Sequence, residues 1–207
     1  MNPLPPLDPA TTAAVTIDLH RGHLDPAVAT MPLPADVAAR VTAANAAFLA
    51  DLRAAGVPVV HVVTGYRSVE EIASNPWWAS VAGTDATRSG VLRHQLPGSP
   101  GLDLMPEVLA DGDLVVTGKK RYDCFAATDL DHALRSRGIR TLLLTGVNTN
   151  SCVLATTVSA NTRDYAPVVV SDCVDTMDPA VHEAALSVVR QAFGWVASSS
   201  ELLASLA

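Results

Sequence analysis

Three chemically reactive side chains follow short apolar runs of this sequence: Asp18, Lys119 and Cys152. Strands of a parallel sheet share one carboxyl edge, so residues at these three positions can converge there. A carboxylate can take the proton of a thiol, and an ammonium group stabilises the thiolate and keeps the carboxylate ionised. The three positions therefore predict a cysteine nucleophile, with Asp18 as general base and Lys119 as its electrostatic partner. A loop ion pair is the alternative for the two charged residues.

The segment 141–157 carries the nucleophile and the clearest local pattern. Leu142 to Leu144 predict a buried strand, Gly146 permits a sharp exit, and residues 148–151 are typical of turns and helix N-caps. Cys152 then falls near the first turn of a following helix, whose dipole favours the thiolate. Taken alone, the segment leaves open a small structural cysteine packed under that helix.

Strand and helix patterns alternate along the chain. Apolar runs predict six strands, at 14–17, 57–63, 114–117, 142–144, 168–170 and 195–197. Helices are predicted at 36–55, 128–138, after 152, 178–193 and 200–206, with Thr128 and Asp131 as an N-cap pair and Asp178 before Pro179 as another. The alternation predicts one α/β domain over 1–207, a three-layer sandwich with a six-stranded parallel sheet between helices. The long connection 64–111 indicates a functional loop or lid that could hold short helices.

Composition excludes several classes of function. The formal net charge of the 207 residues is −7 and no basic cluster interrupts it, which argues against nucleic acid or an anionic membrane surface as the partner. No apolar run is long enough to span a bilayer, and residues 1–9 lack a signal core. The three cysteines lack framework spacing, so we expect a reducing, cytoplasmic setting.

Three motifs together resemble the isochorismatase-like cysteine hydrolases, over nearly the whole chain from Val15 to about Leu202. Residues 17–19, Ile-Asp-Leu, resemble the family's strand-Asp opening. Residues 119–125 and 128–130, Lys-Lys-Arg-Tyr-Asp-Cys-Phe and Thr-Asp-Leu, resemble its Lys-x-x-Tyr-Ser-Ala-Phe segment and the Thr-Asp-Leu after it. Residues 146–153, Gly-Val-Asn-Thr-Asn-Ser-Cys-Val, resemble its Gly-Val-x-Thr-Asn-x-Cys-Val signature. Each motif is modestly specific, but the three in this order are highly specific.

The resemblance implies a fold and a mechanism. It implies a Rossmann-like six-stranded parallel sheet, an Asp18-Lys119-Cys152 triad, a cis peptide at Val147–Asn148, and homodimers or homotetramers. In the implied mechanism the Cys152 thiolate attacks a carboxamide or ureide carbonyl, and backbone N–H groups of Asn148 and Cys152 stabilise the oxyanion. Asp18 passes the proton to the leaving nitrogen, and water then hydrolyses a thioester.

Departures from the family pattern bear on the substrate. Asp123 and Cys124 replace the usual Ser-Ala, and His20 stands where Gln is common, which we expect to affect substrate choice more than the chemical step. Relatives in the family hydrolyse N-carbamoylsarcosine, maleamate, ureidoacrylate or biuret, so the expected substrate is a small amide or ureide. The candidate substrate-binding residues are His20, Tyr66, Arg67, Trp77, Trp78, Tyr122 and Phe125.

The histidines and the other cysteines are assigned structural roles. Nicotinamidases of the family carry an Asp-x-His metal motif after the second strand, and none appears at 61–67 here. The six histidines show no ligand spacing, which predicts neither a metal nor another cofactor. His61 is interpreted as a core or interface histidine and His182 as structural, as are Cys124 and Cys173. A solvated loop is an equal alternative for His20 and His23.

Three other functions stay open at this point. Some family members cleave the vinyl ether of isochorismate, several without the cysteine, so such a reaction could rely on Asp18 alone; Cys152 favours amide chemistry instead. A non-catalytic binding protein could use the same scaffold, although all three triad residues are present. A redox-active cysteine would need a resolving partner, and no Cys-x-x-Cys is found.

Overall fold

Parallel strands build one sheet in the order β3-β2-β1-β4-β5-β6. The computed structural model describes residues 3–84 and 88–206. The strands are β1 (Thr12–Ile17), β2 (Val59–Thr64), β3 (Leu114–Lys119), β4 (Thr141–Val147), β5 (Ala166–Asp175) and β6 (Trp195–Ala197). Five of them contain their predicted run whole, whereas β2 begins two residues after the predicted start at 57. Most strands extend beyond the predicted run because the hydrogen-bonded ladder includes flanking polar residues. Lys119, predicted to lie beyond its strand, is the last residue of β3.

Helices connect the strands on both sides of the sheet. They are α1 (Arg21–Leu24), α2 (Ala35–Ala54), α3 (Val69–Ala73), α4 (Pro76–Val81), α5 (Leu130–Arg135), α6 (Leu154–Thr162), α7 (Pro179–Val188) and α8 (Ser199–Leu206). Single π-helical turns precede α6 at Thr149–Val153 and follow α7 at Val189–Phe193. No helix within 3–84 and 88–206 has both the length and the apolar composition needed to cross a bilayer.

Side chains of the central strands alternate between two apolar cores. Leu142 and Leu144 of β4 pack with Leu134 of α5 on one face, and Leu143 packs with Phe48 of α2 on the other. This period of two is the geometry of a strand buried on both faces. The predicted fold, a parallel sheet between two helical layers, is therefore confirmed.

β1 and β4 lie side by side, parallel, at the centre of the sheet, and the direction in which successive strands are added reverses between them. From β1 the chain winds outward through β2 and β3, and from β4 it winds the other way through β5 and β6. Ligands bind at such a switch point, in the crevice beyond the carboxyl ends of the strands. Gly146 sits at this place with φ +104°, and a Cβ there would lie 2.0 Å from the carbonyl oxygen of Ile17. Only glycine allows the two strands to approach so closely.

Two helix starts have different outcomes. Asp178 caps α7 as predicted, since its carboxylate accepts a hydrogen bond from the backbone N–H of Ala180 at 2.8 Å. The predicted cap of Thr128 with Asp131 forms in part: the Thr128 hydroxyl accepts a hydrogen bond from the backbone N–H of Leu130 at 3.3 Å, but the reciprocal contact from Asp131 is missing among the described residues. The Thr128 hydroxyl donates to the carbonyl of Cys124 at 2.6 Å, and the Asp131 carboxylate pairs with Arg135 one turn along the same helix.

The long connection between β2 and β3 is ordered over its described residues. It contains α3 and α4, the latter capped by the Asn75 side chain, and 3₁₀ turns at Val91–Arg93 and Pro100–Leu102. Short helices were expected there, and the described part of the segment forms one wall of the cavity discussed below.

Candidate active site

Asp18, Lys119 and Cys152 meet in a buried cluster at the carboxyl edge of the sheet. The Lys119 Nζ donates to Asp18 Oδ2 at 2.5 Å and lies 3.4 Å from Cys152 Sγ. The side chains of Asp18 and Lys119 are almost fully buried, and Cys152 is 6% exposed. The strand ends thus bring together the three residues that the sequence singles out.

Thr64 completes the hydrogen bonding of this cluster, and the sequence analysis did not identify it. Its hydroxyl accepts from Lys119 Nζ at 2.8 Å and donates to Asp18 Oδ1 at 2.8 Å, while its backbone N–H donates to the same oxygen at 2.9 Å. Each of the three ammonium protons therefore has a partner: a carboxylate, a hydroxyl and a sulfur. Its position in the sequence could have identified it, because Thr64 is the last residue of β2 and so lies at the same edge of the sheet as the other three.

The charges of Asp18 and Lys119 stabilise each other. Burial would raise the pKa of Asp18, but the Lys119 ammonium and the neighbouring imidazoles of His20 and His23 together outweigh it and hold that pKa well below the usual range. Burial would lower the pKa of Lys119, but the charge and hydrogen bond of the Asp18 carboxylate, with the nearby sulfurs of Cys152 and Cys124, together outweigh it and raise that pKa. The backbone of Asp18 adopts a left-handed φ of 53°, uncommon for a residue other than glycine, and such conformations cluster at functional sites. The pair is ionised at neutral pH.

Cys152 lies in the π-helical turn before α6, where its surroundings disfavour the thiolate that the sequence predicts. Burial raises the pKa of its thiol to about 11; the Lys119 ammonium opposes this shift and the Asp18 carboxylate adds to it. A helix dipole alone cannot offset the loss of hydration. The Val147–Asn148 peptide bond before this turn is cis, as the resemblance implies.

A cavity of about 220 Å³ opens above the cluster. This volume is below the range typical of drug-sized ligands and suits a small molecule. Its lining combines residues of the triad with residues from the β2–β3 connection and from the start of α7, such as Met177 and Val181. The cavity and the buried charges therefore define one candidate active site.

Aromatic residues form part of the cavity wall, in part as predicted. Tyr66, Trp78 and Tyr122 line the cavity. The indole N–H of Trp78 donates to the Tyr122 hydroxyl at 2.8 Å, and the Tyr66 hydroxyl donates to the carbonyl of Lys120 at 2.9 Å. These hydrogen bonds give the wall a defined shape.

Other predicted substrate-binding residues lie away from the cavity. Arg67 is exposed and pairs with Glu71, which lies one turn further along. Trp77 is 56% exposed, because α4 turns Trp78 inward instead. Phe125 is buried in the core and stacks on Tyr165, with ring centroids 5.8 Å apart. For these three positions the prediction of a pocket contact is corrected.

Two arginines that the sequence analysis passed over do line the cavity. Arg121 lies over the ring of Trp78, with 5.2 Å between guanidinium carbon and ring centroid. Its guanidinium nitrogens donate to the carbonyls of Lys120 and Glu71. Arg88 lies over the outer tryptophan of the same helix. Nothing in the local sequence distinguishes these arginines from solvated ones.

His20, His23 and His94 cluster beside Asp18, which sequence spacing did not indicate. His20 Nε2 lies 3.6 Å from Asp18 Oδ1 and does not reach the cavity, whereas His23 and His94 line it. Burial, with neighbouring imidazoles, lowers the pKa of His23 to about 4 and that of His94 well below its usual range. The alternative of a solvated loop is wrong for His20 and His23, because both are buried.

His61 is the core histidine that the sequence predicts. Its Nδ1 lies 2.6 Å from the Thr16 hydroxyl and its Nε2 lies 3.0 Å from Asp113 Oδ2. Arg53 forms a bidentate pair with the same carboxylate, at 2.7 and 3.0 Å. Burial would raise the pKa of Asp113, but the charge of Arg53 and the hydrogen bonds from Arg53, the Ala110 backbone and His61 together outweigh it and lower that pKa.

Comparisons with known proteins agree with this arrangement. The family model for the Isochorismatase domain matches residues 12–201. A relative from Methylobacterium radiotolerans, named ureidoacrylate amidohydrolase RutB, is 34% identical over 203 residues, which cover 92% of this chain and 77% of that protein.

Solved structures show the same fold. An isochorismatase family protein from Burkholderia thailandensis superposes with a TM-score of 0.77 at 32% identity, covering 99% of each chain. N-carbamoylsarcosine amidase from Thermoplasma acidophilum gives a TM-score of 0.71 at 26% identity, covering 91% of this chain and 96% of that one. The predictions of the family and of a hydrolase are confirmed: this chain belongs to the isochorismatase family of hydrolases.

Proposed function

We propose that this enzyme is a cysteine amidohydrolase that cleaves the C–N bond of a small ureido or carbamoyl compound. Cys152 is the nucleophile, Asp18 the general base and acid, and Lys119 the electrostatic partner. The observation that carries the proposal is the contact of all three side chains below a small cavity, with Lys119 Nζ 2.5 Å from the carboxylate and 3.4 Å from the sulfur.

Proton transfer and attack occur together in the first step. Cys152 rests as a neutral thiol and Asp18 as a carboxylate of low pKa, so a separate transfer of the proton is uphill. As Sγ bonds to the substrate carbonyl carbon, the thiol proton passes to Asp18 and negative charge moves to the carbonyl oxygen. Lys119 remains charged beside the sulfur throughout. Backbone N–H groups of Asn148 and Cys152 then stabilise the oxyanion.

Collapse of the tetrahedral intermediate breaks the C–N bond. Asp18 returns its proton to the leaving nitrogen, and ammonia or an amine departs. The acyl group left on Cys152 is a thiocarbamate for a ureido substrate and a thioester for a carboxamide. A water molecule then gives one proton to Asp18 while its oxygen bonds to the carbon of this intermediate. The C–S bond breaks, the proton passes to the sulfur, and Asp18 and Cys152 return to their starting states.

The cavity favours a substrate with a carbamoyl end and an anionic end. The side-chain oxygen of Asn148 is buried at the cavity without a hydrogen-bond partner among the described residues, and it can accept from a substrate N–H. The guanidinium of Arg88 can pair with a carboxylate. The names of two relatives, ureidoacrylate amidohydrolase and N-carbamoylsarcosine amidase, describe substrates of this kind.

The test is nitrogen release from a substrate panel, comparing wild type with Cys152→Ala. The panel contains ureidoacrylate, N-carbamoylsarcosine, other N-carbamoyl amino acids, biuret, maleamate and nicotinamide, with isochorismate assayed separately. Cys173→Ala is the matched control, because Cys173 is buried in the core on the other face of the sheet. We expect turnover by wild type and the control, and none by Cys152→Ala.

Two results would overturn the proposal. Turnover of an amide by Cys152→Ala at the wild-type rate would show that another group is the nucleophile. Cleavage of isochorismate by both proteins, with no release from any amide, would assign the chemistry to vinyl ether hydrolysis by Asp18.

The proposal includes a cytoplasmic enzyme that forms homodimers or homotetramers. All three cysteines are free and buried, which suits a reducing compartment. Light scattering coupled to size-exclusion chromatography checks the assembly, and a monomer at working concentration would contradict that part of the proposal.

A further inference from the structure

Three buried imidazoles form a cluster that the proposed triad chemistry does not use. His20 and His23 lie at α1, directly after β1, and His94 comes from the β2–β3 connection. One ligand atom from each lies within 4.8 Å of the others. The ring centroids are 4.7 Å apart for His20–His23 and His23–His94 and 5.4 Å apart for His20–His94. His94 lies 71 positions after His23 in the chain, so rules based on ligand spacing do not detect this cluster.

Hydrogen bonds fix the orientation of two of these rings. His23 Nδ1 lies 2.7 Å from the carbonyl oxygen of Met31, which can only accept, so Nδ1 holds the proton and Nε2 presents its lone pair. His94 Nδ1 lies 2.8 Å from the Thr30 hydroxyl. A histidine that ligates a metal usually donates its other ring N–H to a carbonyl or another oxygen in this way.

His20 supplies the second, independent observation. It is fully buried, and neither of its ring nitrogens has a hydrogen-bond partner among the described residues. A buried polar group left unpaired costs about 1–3 kcal/mol. Its nearest charged neighbour, the Asp18 carboxylate, is 3.6 Å away, beyond hydrogen-bond distance. No contact among the described residues explains why this ring is buried without a hydrogen bond. It lies beside two other imidazoles, and each of the three rings has a nitrogen that could bind a ligand.

We propose that His20, His23 and His94 bind one divalent transition-metal ion. Neutral imidazoles suit Zn²⁺, Fe²⁺, Co²⁺ and Ni²⁺, and three protein ligands leave a coordination position for water or substrate. That position faces the cavity, because His23 and His94 line it beside Cys152. Tetrahedral Zn²⁺ places ligand nitrogens about 3.3 Å apart, so the three rings draw together by up to about 1.5 Å on binding.

The ion anchors an oxygen of the substrate, a role that depends on the proposed amidohydrolase function. Bound in the cavity wall beside Asp18, the ion would hold a carboxylate or carbonyl group of the substrate while Cys152 attacks at the floor of the cavity. Metal binding itself does not depend on that function, so the two are tested by different measurements.

The first experiment measures metal binding by protein that carries no polyhistidine tag. Chelator-stripped protein is titrated with Zn²⁺ by calorimetry, and Co²⁺ loading is followed by its visible absorption. We expect about one ion per chain for wild type, a Kd at least 10-fold weaker for His94→Ala and His23→Gln, and an unchanged Kd for His132→Ala, which alters an exposed histidine of α5. Circular dichroism confirms that each variant is folded.

The same titration contains the results that would overturn the site. Wild-type protein that binds no Zn²⁺ or Co²⁺ would refute it whatever the variants do. Binding that is lost in Cys152→Ala but kept in His94→Ala would assign the metal to the thiol instead. For the anchoring role, stripped wild type should show a KM at least 10-fold higher on the best substrate of the panel. An unchanged KM would refute that role and leave the triad intact.

Discussion

The Thr64 hydroxyl offers a sharp test of the electrostatics of the triad. Thr64→Val keeps the shape of a buried side chain and removes one oxygen atom. That oxygen accepts from Lys119 Nζ and donates to Asp18 Oδ1, both at 2.8 Å, so the substitution removes two hydrogen bonds to charged groups. The direct contact between Lys119 and Asp18 and the backbone N–H of residue 64 remain. The substitution therefore removes two of the hydrogen bonds that stabilise the ion pair but leaves Lys119 and Asp18 in contact.

The expected loss can be worked from these contacts. A hydrogen bond to a charged group contributes about 1.5–3 kcal/mol, and the surviving partners take over part of the role of the two that are lost. A net loss of about 2 kcal/mol in the transition state corresponds to roughly a 30-fold lower kcat/KM. Removing a donor to the Asp18 carboxylate also raises the pKa of Asp18, so the acid limb of the pH profile should move to higher pH.

Thr145→Val is the matched control in the same assay. Thr145 is fully buried in β4, and its hydroxyl has no hydrogen-bond partner among the described residues. The same substitution should there leave kcat/KM unchanged and keep or raise the midpoint of thermal unfolding. The reasoning would be refuted if Thr64→Val kept kcat/KM within about threefold of wild type, or if both variants lost activity equally.

Three further predictions concern the Cys152 thiol, the buried ion pair of Asp113 with Arg53, and the close approach of β1 and β4 at Gly146. Alkylation of Cys152 by iodoacetamide should accelerate about tenfold per pH unit from pH 7 to pH 10, because a pKa of about 11 keeps the thiol protonated there; a plateau near pH 8 would contradict this. Asp113→Asn should lower the free energy of unfolding by about 3 kcal/mol, measured with urea against the exposed control Asp111→Asn. Because the pKa of Asp113 is lowered in the folded state, its stabilisation is present above its unfolded pKa of about 3.9 and is lost as pH falls through the folded value. The difference in free energy of unfolding between wild type and Asp113→Asn should therefore shrink in acid. Gly146→Ala should destabilise far more than Gly112→Ala, since both have positive φ but only the first meets a backbone oxygen; equal losses of thermal stability would mean that the clash relaxes without cost.

Local pattern was enough to predict the sheet and the triad. The strands could be located because residues buried on both faces form continuous apolar runs, and the order of strands and helices then forces a parallel sheet. Asp18, Lys119 and Cys152 could be predicted to lie close together because the carboxyl ends of parallel strands lie at one edge of the sheet. The predicted pair at Thr128 formed only in part, because the Asp131 carboxylate binds Arg135 and the Tyr165 hydroxyl, and Tyr165 is close only in the folded protein.

The walls of the cavity could not be assigned in the same way. Trp77 and Trp78 are adjacent in sequence and identical in type, and only the packing of α4 decides that one is exposed and the other lines the site. Arg67 follows a strand, as an active-site residue would, yet Glu71 holds it in solvent. Phe125 belongs to a family motif and nevertheless fills the core.

The sequence by itself determined the family, the parallel sheet and the meeting of Asp18, Lys119 and Cys152 at one edge of it, since each depends on residue type and on a short-range period. Only the tertiary structure decided the protonation of Cys152, because burial outweighs the helix dipole that local sequence predicts. It also decided that Thr64 bridges the charges and that His94 meets His20 and His23. Such contacts join residues far apart in the chain, and the distances between their side chains follow from packing rather than from spacing.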